Sequence, residues 1–422
     1  MAEPVRGEMR YRLLETLRQY AGDLWESTGE RPAHEACHAL HFLELAEDGA
    51  TNLRSAKHEE VLDRLRTEHD NMRQALRWSL ESNEIETGIR LAGALYRFWL
   101  YNDNNSEGVW WLEALLARGQ IVSDSVRAKA LLGLGSLSGD LVGKGRSGTA
   151  ALKEAVKIYR GITGEASIRL DYATALNNLG ADLVSRGDHA EAEACYEEAL
   201  EISHALDMQW GVALVLGNLG RVAAILGRLD QARARFDLGV ETARRLGSPR
   251  LIGDALGARA NFERDFGRLD DAVTDYDESI RTYVEANHIS GAQLTSTSMA
   301  VAILRLGDHD RALKLFLPNA AALLNEPETL KQAGVLIDLT LGRAEIELAV
   351  GAIEMAANLL GFAETLMEGS EDKYFLSWQQ QLQAESKKRL EPDRFNAAVA
   401  RGRVISLDSA RELIAAEQQL VL

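Results

Sequence analysis

The chain has 422 residues, 46% hydrophobic and 26% charged, with a formal net charge of −17. That balance excludes wholesale disorder, and so acidic a surface repels a phosphate backbone, which argues against direct nucleic-acid binding. Two cysteines, Cys37 and Cys195, are too few for a disulfide framework and fit a reducing, cytoplasmic setting. The opening MAEPVRGEMRYRLLE is charged throughout and unlike a signal peptide. No run of 18 uncharged apolar residues occurs; the nearest, from Leu348 to Phe362, contains Glu354, so no membrane span is expected. Six prolines, none between Pro32 and Pro249, suit a mostly helical chain.

Residues 9–28 read as a short strand running into an amphipathic helix, with Leu13, Leu14, Leu17, Tyr20 and Leu24 as its stripe and Gly29 as its end. A second helix follows Pro32, with Ala36, Leu40, Leu43 and Leu45 apolar. Its HEACHALH segment sets His34, His38 and His41 at i, i+4 and i+7, a spacing able to hold zinc. A closed site needs a fourth ligand, and only Cys37 or Glu44 is at hand, so a half-buried helix face is the expectation and no metal is assigned. Further helical segments cover 68–82 and 91–117. The tryptophans Trp99, Trp110 and Trp111 form either the core of a first irregular hairpin or a junction against an adjoining domain.

Beyond residue 120 a period emerges. Glycines stand at 187, 227, 267 and 307; five residues after each comes Ala192, Ala232, Ala272 or Ala312; four further on comes Tyr196, Phe236, Tyr276 or Phe316. The pattern reads as a helical hairpin repeated from each glycine to the next. The glycine closes the first helix in a left-handed cap, the alanine admits close approach of the second helix, and the aromatic on the same face fills the space between hairpins. Gly351, Ala356 and Leu360 continue the pattern downstream, and Gly143, Gly148, Leu152 and Ala155 upstream. A hairpin with an apolar face it cannot bury must stack on its neighbours, so the expected architecture is all-α, a right-handed superhelical solenoid.

Several motifs suggest chemistry and are weaker than they look. GKGRSG, from Gly143 to Gly148, matches a dinucleotide fingerprint, but the segment before it reads as helix, so an inter-helix turn is expected. Lys144 is followed by glycine rather than Ser or Thr, unlike a phosphate-loop lysine. The acid pairs Glu197–Glu198 and Asp270–Asp271 fall on outward faces or turn caps, with nothing to raise a catalytic pKa. No GxSxG or paired CxxC occurs. No catalytic residue and no cofactor are assigned.

In ALNNLGADLVSRGDHAEAEACYEEALEI, the residues Leu179, Gly180, Leu183, Gly187, Ala192, Tyr196 and Ala199 stand where a tetratricopeptide repeat places its signature. The next copy supplies Leu219, Gly220, Gly227, Ala232 and Phe236. The array therefore resembles the longer form of that repeat. It departs from the family at His204, where a proline is usual, and at Gly239, where the third alanine is usual.

A wider resemblance spans nearly the whole chain. It rests on Arg10, Tyr11, Leu13, Leu14, Glu15, Thr16 and Tyr20; on His38, Phe42, Leu43, Leu45, Ala46 and Glu47; on Glu68, His69, Asp70, Asn71 and Arg73; and on Ser106, Glu107, Gly108, Trp111 and Leu112. The closing LLGFAETLMEG and RGRVISLDSAREL belong to the same set. In this order they resemble the C-terminal part of STAND-class bacterial regulatory ATPases, including large LuxR-type transcriptional regulators. That family implies a nucleotide-binding domain and winged helix ahead of the repeats. The sequence has no GxxxxGK[ST] loop, so the expectation is the sensor half of such a regulator: the end of a winged helix over 1–30, a helical junction over 31–120, the repeat array over 121–367 and capping helices over 368–422, with Ser406 as an N-cap.

Function is expected on the concave side, lined by the first helix of each hairpin. Counting back from each glycine places Asn177, Asn178 and Ser185 there, then Asn218 and Arg221, then Asn261 and Arg264, then Arg305. Asn178 and Asn218 share one repeat position; an amide there can both donate to and accept from an extended peptide, and the resemblance implies a peptide contact. Bonding between neighbouring helices is the other reading of the same residues. The arginines suit an acidic side chain or terminus. The expected role is a non-enzymatic interaction or sensor module for a protein, a peptide or a small inducer, with a stand-alone scaffold pairing through its N-terminal helices as the alternative.

Overall fold

The structure, a computed structural model, describes residues 2–5, 8–11, 20, 30–53, 58–102, 104–118, 122–139, 145–162, 164–327, 329–368 and 373–416. Most of the expected 9–28 helix, with Gly143 and Lys144, lies outside them. The described residues are almost all helical, and the fold is an all-α helical solenoid preceded by one small hairpin of strands. There β1 (Ala2–Val5) pairs antiparallel with β2 (Glu8–Tyr11), Ala2 opposite Tyr11. Contacts divide the chain after Leu134 into two units.

In the first unit, α1 (Arg31–Asn52), α2 (His58–Glu81), α3 (Ile85–Tyr101) and α4 (Asn105–Leu116) pack together. The third is the central one: it is apolar nearly all round and buries most of its residues, Ile85 and Trp99 among them, as a helix surrounded by others must. The stripe of α1 is Ala39, Phe42, Leu43 and Ala46, which leaves Leu40 half exposed rather than in the core. His34 is exposed, and His38 packs its ring on Phe42, where burial lowers its pKa. Two segments that carry the wider resemblance meet here. Arg73 of α2 grips Glu107 of α4 through two hydrogen bonds of 2.7 and 2.6 Å, His69 Nε2 lies 3.3 Å from the same carboxylate, and Trp111 donates its indole N–H to it. Burial by itself would raise the Glu107 pKa; its Arg73 and His69 partners override that and hold it at about 2.

The division after Leu134 falls within α5 (Asp124–Ser138), most of which belongs to the first unit. The second unit is a series of hairpins. After α6 (Gly145–Gly161) come the pairs α7 (Ala166–Ser185) and α8 (His189–Ala205), α9 (Gln209–Ile225) and α10 (Leu229–Leu246), α11 (Pro249–Phe266) and α12 (Leu269–Glu285), α13 (Ile289–Arg305) and α14 (His309–Asn325), and α15 (Ala333–Ala349) and α16 (Ile353–Leu366). Gly187, Gly227, Gly267, Gly307 and Gly351, one between the helices of each pair, have φ between 76° and 103°, the left-handed region that glycine enters without a Cβ penalty. The return turns carry a second left-handed column, absent from the sequence pattern above. It is formed by Asp207, Gly247 and Asn287, at φ 51–69° and in the same repeat register. The aromatic column is buried to 4% exposure or less. A Cβ on Gly180 would sit 2.7 Å from the Tyr196 ring, and one on Gly220 2.9 Å from Phe236, so these two glycines let the first helix lie directly on the ring of the second.

The array is closed by α17 (Lys373–Arg389), α18 (Pro392–Arg403) and α19 (Leu407–Ala415). Ser406 caps α19 by accepting from the Ser409 N–H. Arg343 and Glu347, both almost wholly buried, pair at 2.6 Å inside α15, and the guanidinium also reaches the Ile414 carbonyl of α19. Ala357 and Phe395 join α16 to α18 in a small separate core.

Tyr196→Ala removes a fully buried ring and should cost about 3–5 kcal/mol in urea unfolding; a loss under about 1 kcal/mol would contradict the stacking role. Because Glu107 is held below its usual range, its contribution to stability is present above pH 4.5 and is lost as the pH falls toward 2. Glu107→Gln should therefore lower the thermal midpoint at pH 7 and converge with the parent chain near pH 2. Parallel curves over that window would contradict the pairing.

Candidate functional site

Which helices touch decides which face is available. In the second unit the first helices α7, α9, α11, α13 and α15 each pack on the next of their own kind, whereas the second helices pack chiefly on first helices. The hairpins therefore close up along the first helices, and the outward side chains of those helices line the inner side of the bend.

The expected asparagines stand on that side and form one chain of amides. Asn218 of α9 donates to Asn177 Oδ1 of α7 at 2.9 Å; Asn177 donates to Asn178 Oδ1 at 3.3 Å; Asn178 donates to Ser136 Oγ of α5 at 2.8 Å. They do bond neighbouring helices, yet all three stay partly exposed. Ser185 turns back to the Asp182 carbonyl. Gly217, next to Asn218, leaves open space: a Cβ there would meet nothing within 4 Å. A glycine inside a helix costs about 1 kcal/mol against alanine, and unlike Gly180 or Gly220 this one relieves no contact within the chain. Arg221 is exposed on the same helix. Burial pushes the Tyr196 phenol up, and Arg221 offsets part of that push. Asn261 accepts a 2.6 Å hydrogen bond from the buried Tyr276 hydroxyl.

Further along, the arginines are committed to partners inside the wall. Arg305 of α13 spans three helices. It donates to both Glu345 oxygens of α15 at 2.8 and 3.1 Å, and to Asp265 and the Arg264 carbonyl of α11 at 3.2 and 3.4 Å. Arg264, 3% exposed, holds Asp265 at 2.9 Å. Trp378 of α17 lies against both guanidiniums, 5.6 Å from Arg264 and 6.0 Å from Arg305, and donates its indole N–H to Glu345 at 2.6 Å. Asp338 completes the group; burial raises its pKa against the pull of Arg264. Arg264 and Arg305 thus hold the wall together through acids and an indole, and the part of the wall that leaves side chains unpaired with charges is chiefly amide.

The sequence offered Arg264 and Arg305 as ligand contacts, whereas in the structure they pair with acids of the chain, and Asp265, Glu345, Asp338 and Trp378 beside them were missed. A signal existed for two of them: Asp265, Arg305 and Glu345 share one repeat register, an acid–base–acid column. Elsewhere, Trp99 and Trp111 are buried in the first unit while Trp110 is exposed. Glu198 pairs with Arg160 at 2.7 Å and accepts from the Tyr172 hydroxyl, and Glu197 pairs with Arg235 at 2.7 Å, so these acids serve ties between helices.

Comparison with known proteins agrees with this architecture. The tetratricopeptide repeat family profile matches residues 171–245, the α7–α10 region. A protein of Mycobacterium bovis named as an HTH-type transcriptional regulator is 32% identical over 224 residues, 51% of this chain and 24% of its own length. The chain thus spans about a quarter of the length of that relative. Among solved structures, a Rap protein complexed with competence and sporulation factor superposes with a TM-score of 0.62 at 13% identity, over 89% of this chain and 99% of the other. The Rap conjugation gene regulator of the plasmid pLS20, solved with a peptide, gives 0.51 at 13% identity, over 83% and 98%. At such identities the structures share the fold.

Breaking the Arg305 tie leaves two acids without their cation. Arg305→Ala should cost about 2–3 kcal/mol in urea unfolding, and a double-mutant cycle with Glu345→Ala should return a coupling of about 1 kcal/mol or more. Additive losses would show that the pair does not join α13 to α15.

Proposed function

We propose that this chain is a non-catalytic sensor module of a transcriptional or signalling regulator, and that it binds an extended peptide or protein segment along its first helices. The observation that carries the reading is the partly exposed amide chain Asn218–Asn177–Asn178 beside Gly217, where a Cβ would meet no atom within 4 Å. Amides in register can satisfy the alternating donors and acceptors of a peptide backbone, as β-augmentation does at a sheet edge. Arg221 and Asn261 extend the polar lining, while Arg264 and Arg305 act by holding it in shape. A small inducer in the same place uses the same groups. The relative named as an HTH-type transcriptional regulator supports the regulatory role, and the Rap structures solved with a factor or a peptide support the ligand class. We further propose that the chain works as the repeat region of a STAND-class, LuxR-type regulator in the cytoplasm, with the array over 121–367 between a junction and capping helices. Among the described residues no helix is long and apolar enough to cross a membrane. A second reading, a scaffold pairing through the N-terminal helices, is favoured by Leu40 and Trp110, apolar side chains more than half exposed there.

A thermal-shift screen of the purified chain against peptide pools, metabolites and nucleotides tests this. A groove ligand at about 100 times its Kd adds about 2.7 kcal/mol and should raise the midpoint by several degrees. Asn178→Ala/Asn218→Ala should lose that rise. A rise that survives the double variant would move the site elsewhere. A rise with ATP would contradict the sensor-half reading, and silence with every pool would favour the scaffold.

A further inference from the structure

On the outer side of the same array, the second helices diverge, and polar ties cross the clefts between them. Between α8 and α10, Arg235 reaches Glu197. Between α10 and α12, Arg259 joins Asp237 to Asp275. The residue before each aromatic differs from copy to copy: Arg235, Asp275 and Leu315 stand in the later ones, and the short Cys195 in the first. A cavity of about 560 Å³ opens there, between α6 and α8, with Leu179 of α7 at its floor.

The walls of this cleft are unlike its rim. Val156, Leu179 and Cys195 make an apolar floor, and the exposed Ala194 stands beside them at the surface. Along the edge of α6 stand three cations, Lys153, Lys157 and Arg160, one helical face at i, i+4 and i+7. The outer two are neutralised across the cleft, Lys153 by Glu191 at 3.2 Å and Arg160 by Glu198 at 2.7 Å. Lys157, between them, faces no carboxylate within ion-pair distance among the described residues, so three cations meet two acids. Burial pushes the Cys195 thiol up to about 11, with Glu191 and Glu198 adding to the push, as befits a lining group rather than a nucleophile.

We propose that this cleft binds a small amphiphilic monocarboxylate, its apolar body against Val156, Leu179, Ala194 and Cys195 and its carboxylate on Lys157. The volume is that of a small-molecule site. One uncompensated cation matches one negative charge, so a carboxylate fits better than a phosphate dianion. The site lies on the face opposite the amide chain and does not depend on the peptide reading.

Equilibrium dialysis of radiolabelled decanoate against the full chain tests the proposal. Saturable one-to-one binding is expected at sub-millimolar concentration. Lys157→Glu, at an exposed position without an ion pair, should weaken it about tenfold or more. Cys195→Leu, copying Leu315, should fill the cleft and weaken it as well; if that variant does not fold, the Lys157 arm still decides. Decanol, the same body without the charge, should bind about tenfold less tightly. Asn178→Ala/Asn218→Ala should leave decanoate binding unchanged, which separates this site from the groove. Absence of saturable binding, or equal binding by Lys157→Glu, or equal binding of decanol, overturns the proposal.

Discussion

A helix with apolar residues on two sides cannot bury both against a single partner, and every hairpin of this array has that problem. The chain must reverse tightly after each first helix, and the second must return close enough for an aromatic ring to lie on the first. Gly187, Gly227, Gly267, Gly307 and Gly351 meet the first need by adopting positive φ. Gly180 and Gly220 meet the second where the ring lies against bare backbone. With turn and ring fixed, the remaining apolar side can be covered only by another hairpin. The stacking, the bend and the capping helices all follow from this.

Polar ties then set how neighbouring hairpins lie. On the inner side the amide chain and the Asp265–Arg305–Glu345 column run from helix to helix, and on the outer side arginine–carboxylate pairs do the same. The exposed pairs contribute little singly; their value is in fixing register. The buried Arg343–Glu347 pair differs, because losing either partner strands a charge out of water. It lies where α19 is held to α15. The inner wall therefore has a stiff, self-neutralised end and an amide-lined end with open space at Gly217.

Much of this was legible because a repeat multiplies each local signal. The glycine, alanine and aromatic columns predicted the hairpins, and Asn178 and Asn218 marked the inner face. The second left-handed column escaped notice because Asp207, Gly247 and Asn287 are different residues, although all three types tolerate that conformation. Asp265 and Glu345 escaped because a column of alternating sign is invisible to a search for one residue type. Trp378 comes from outside the period and has no register to betray it. Leu40 reads as apolar core, but the α1 stripe runs through Ala39, Phe42, Leu43 and Ala46, and a residue one step off a stripe is turned about 100° away. Trp110 and Trp111 separate for the same reason. The Cys195 cleft was hidden because a short residue leaves no pattern.

The central claim is that the first-helix face between α7 and α9 receives a ligand. Gly217→Trp tests it most directly, because its Cβ would meet no atom within 4 Å and the change removes a helix-weakening glycine. Affinity of peptides selected from a random library on the parent chain should be measured against this variant. The account predicts an unchanged or raised thermal midpoint together with binding reduced by about a hundredfold, or about 2.7 kcal/mol. Selected peptides that bind Gly217→Trp with the parent's affinity would contradict it.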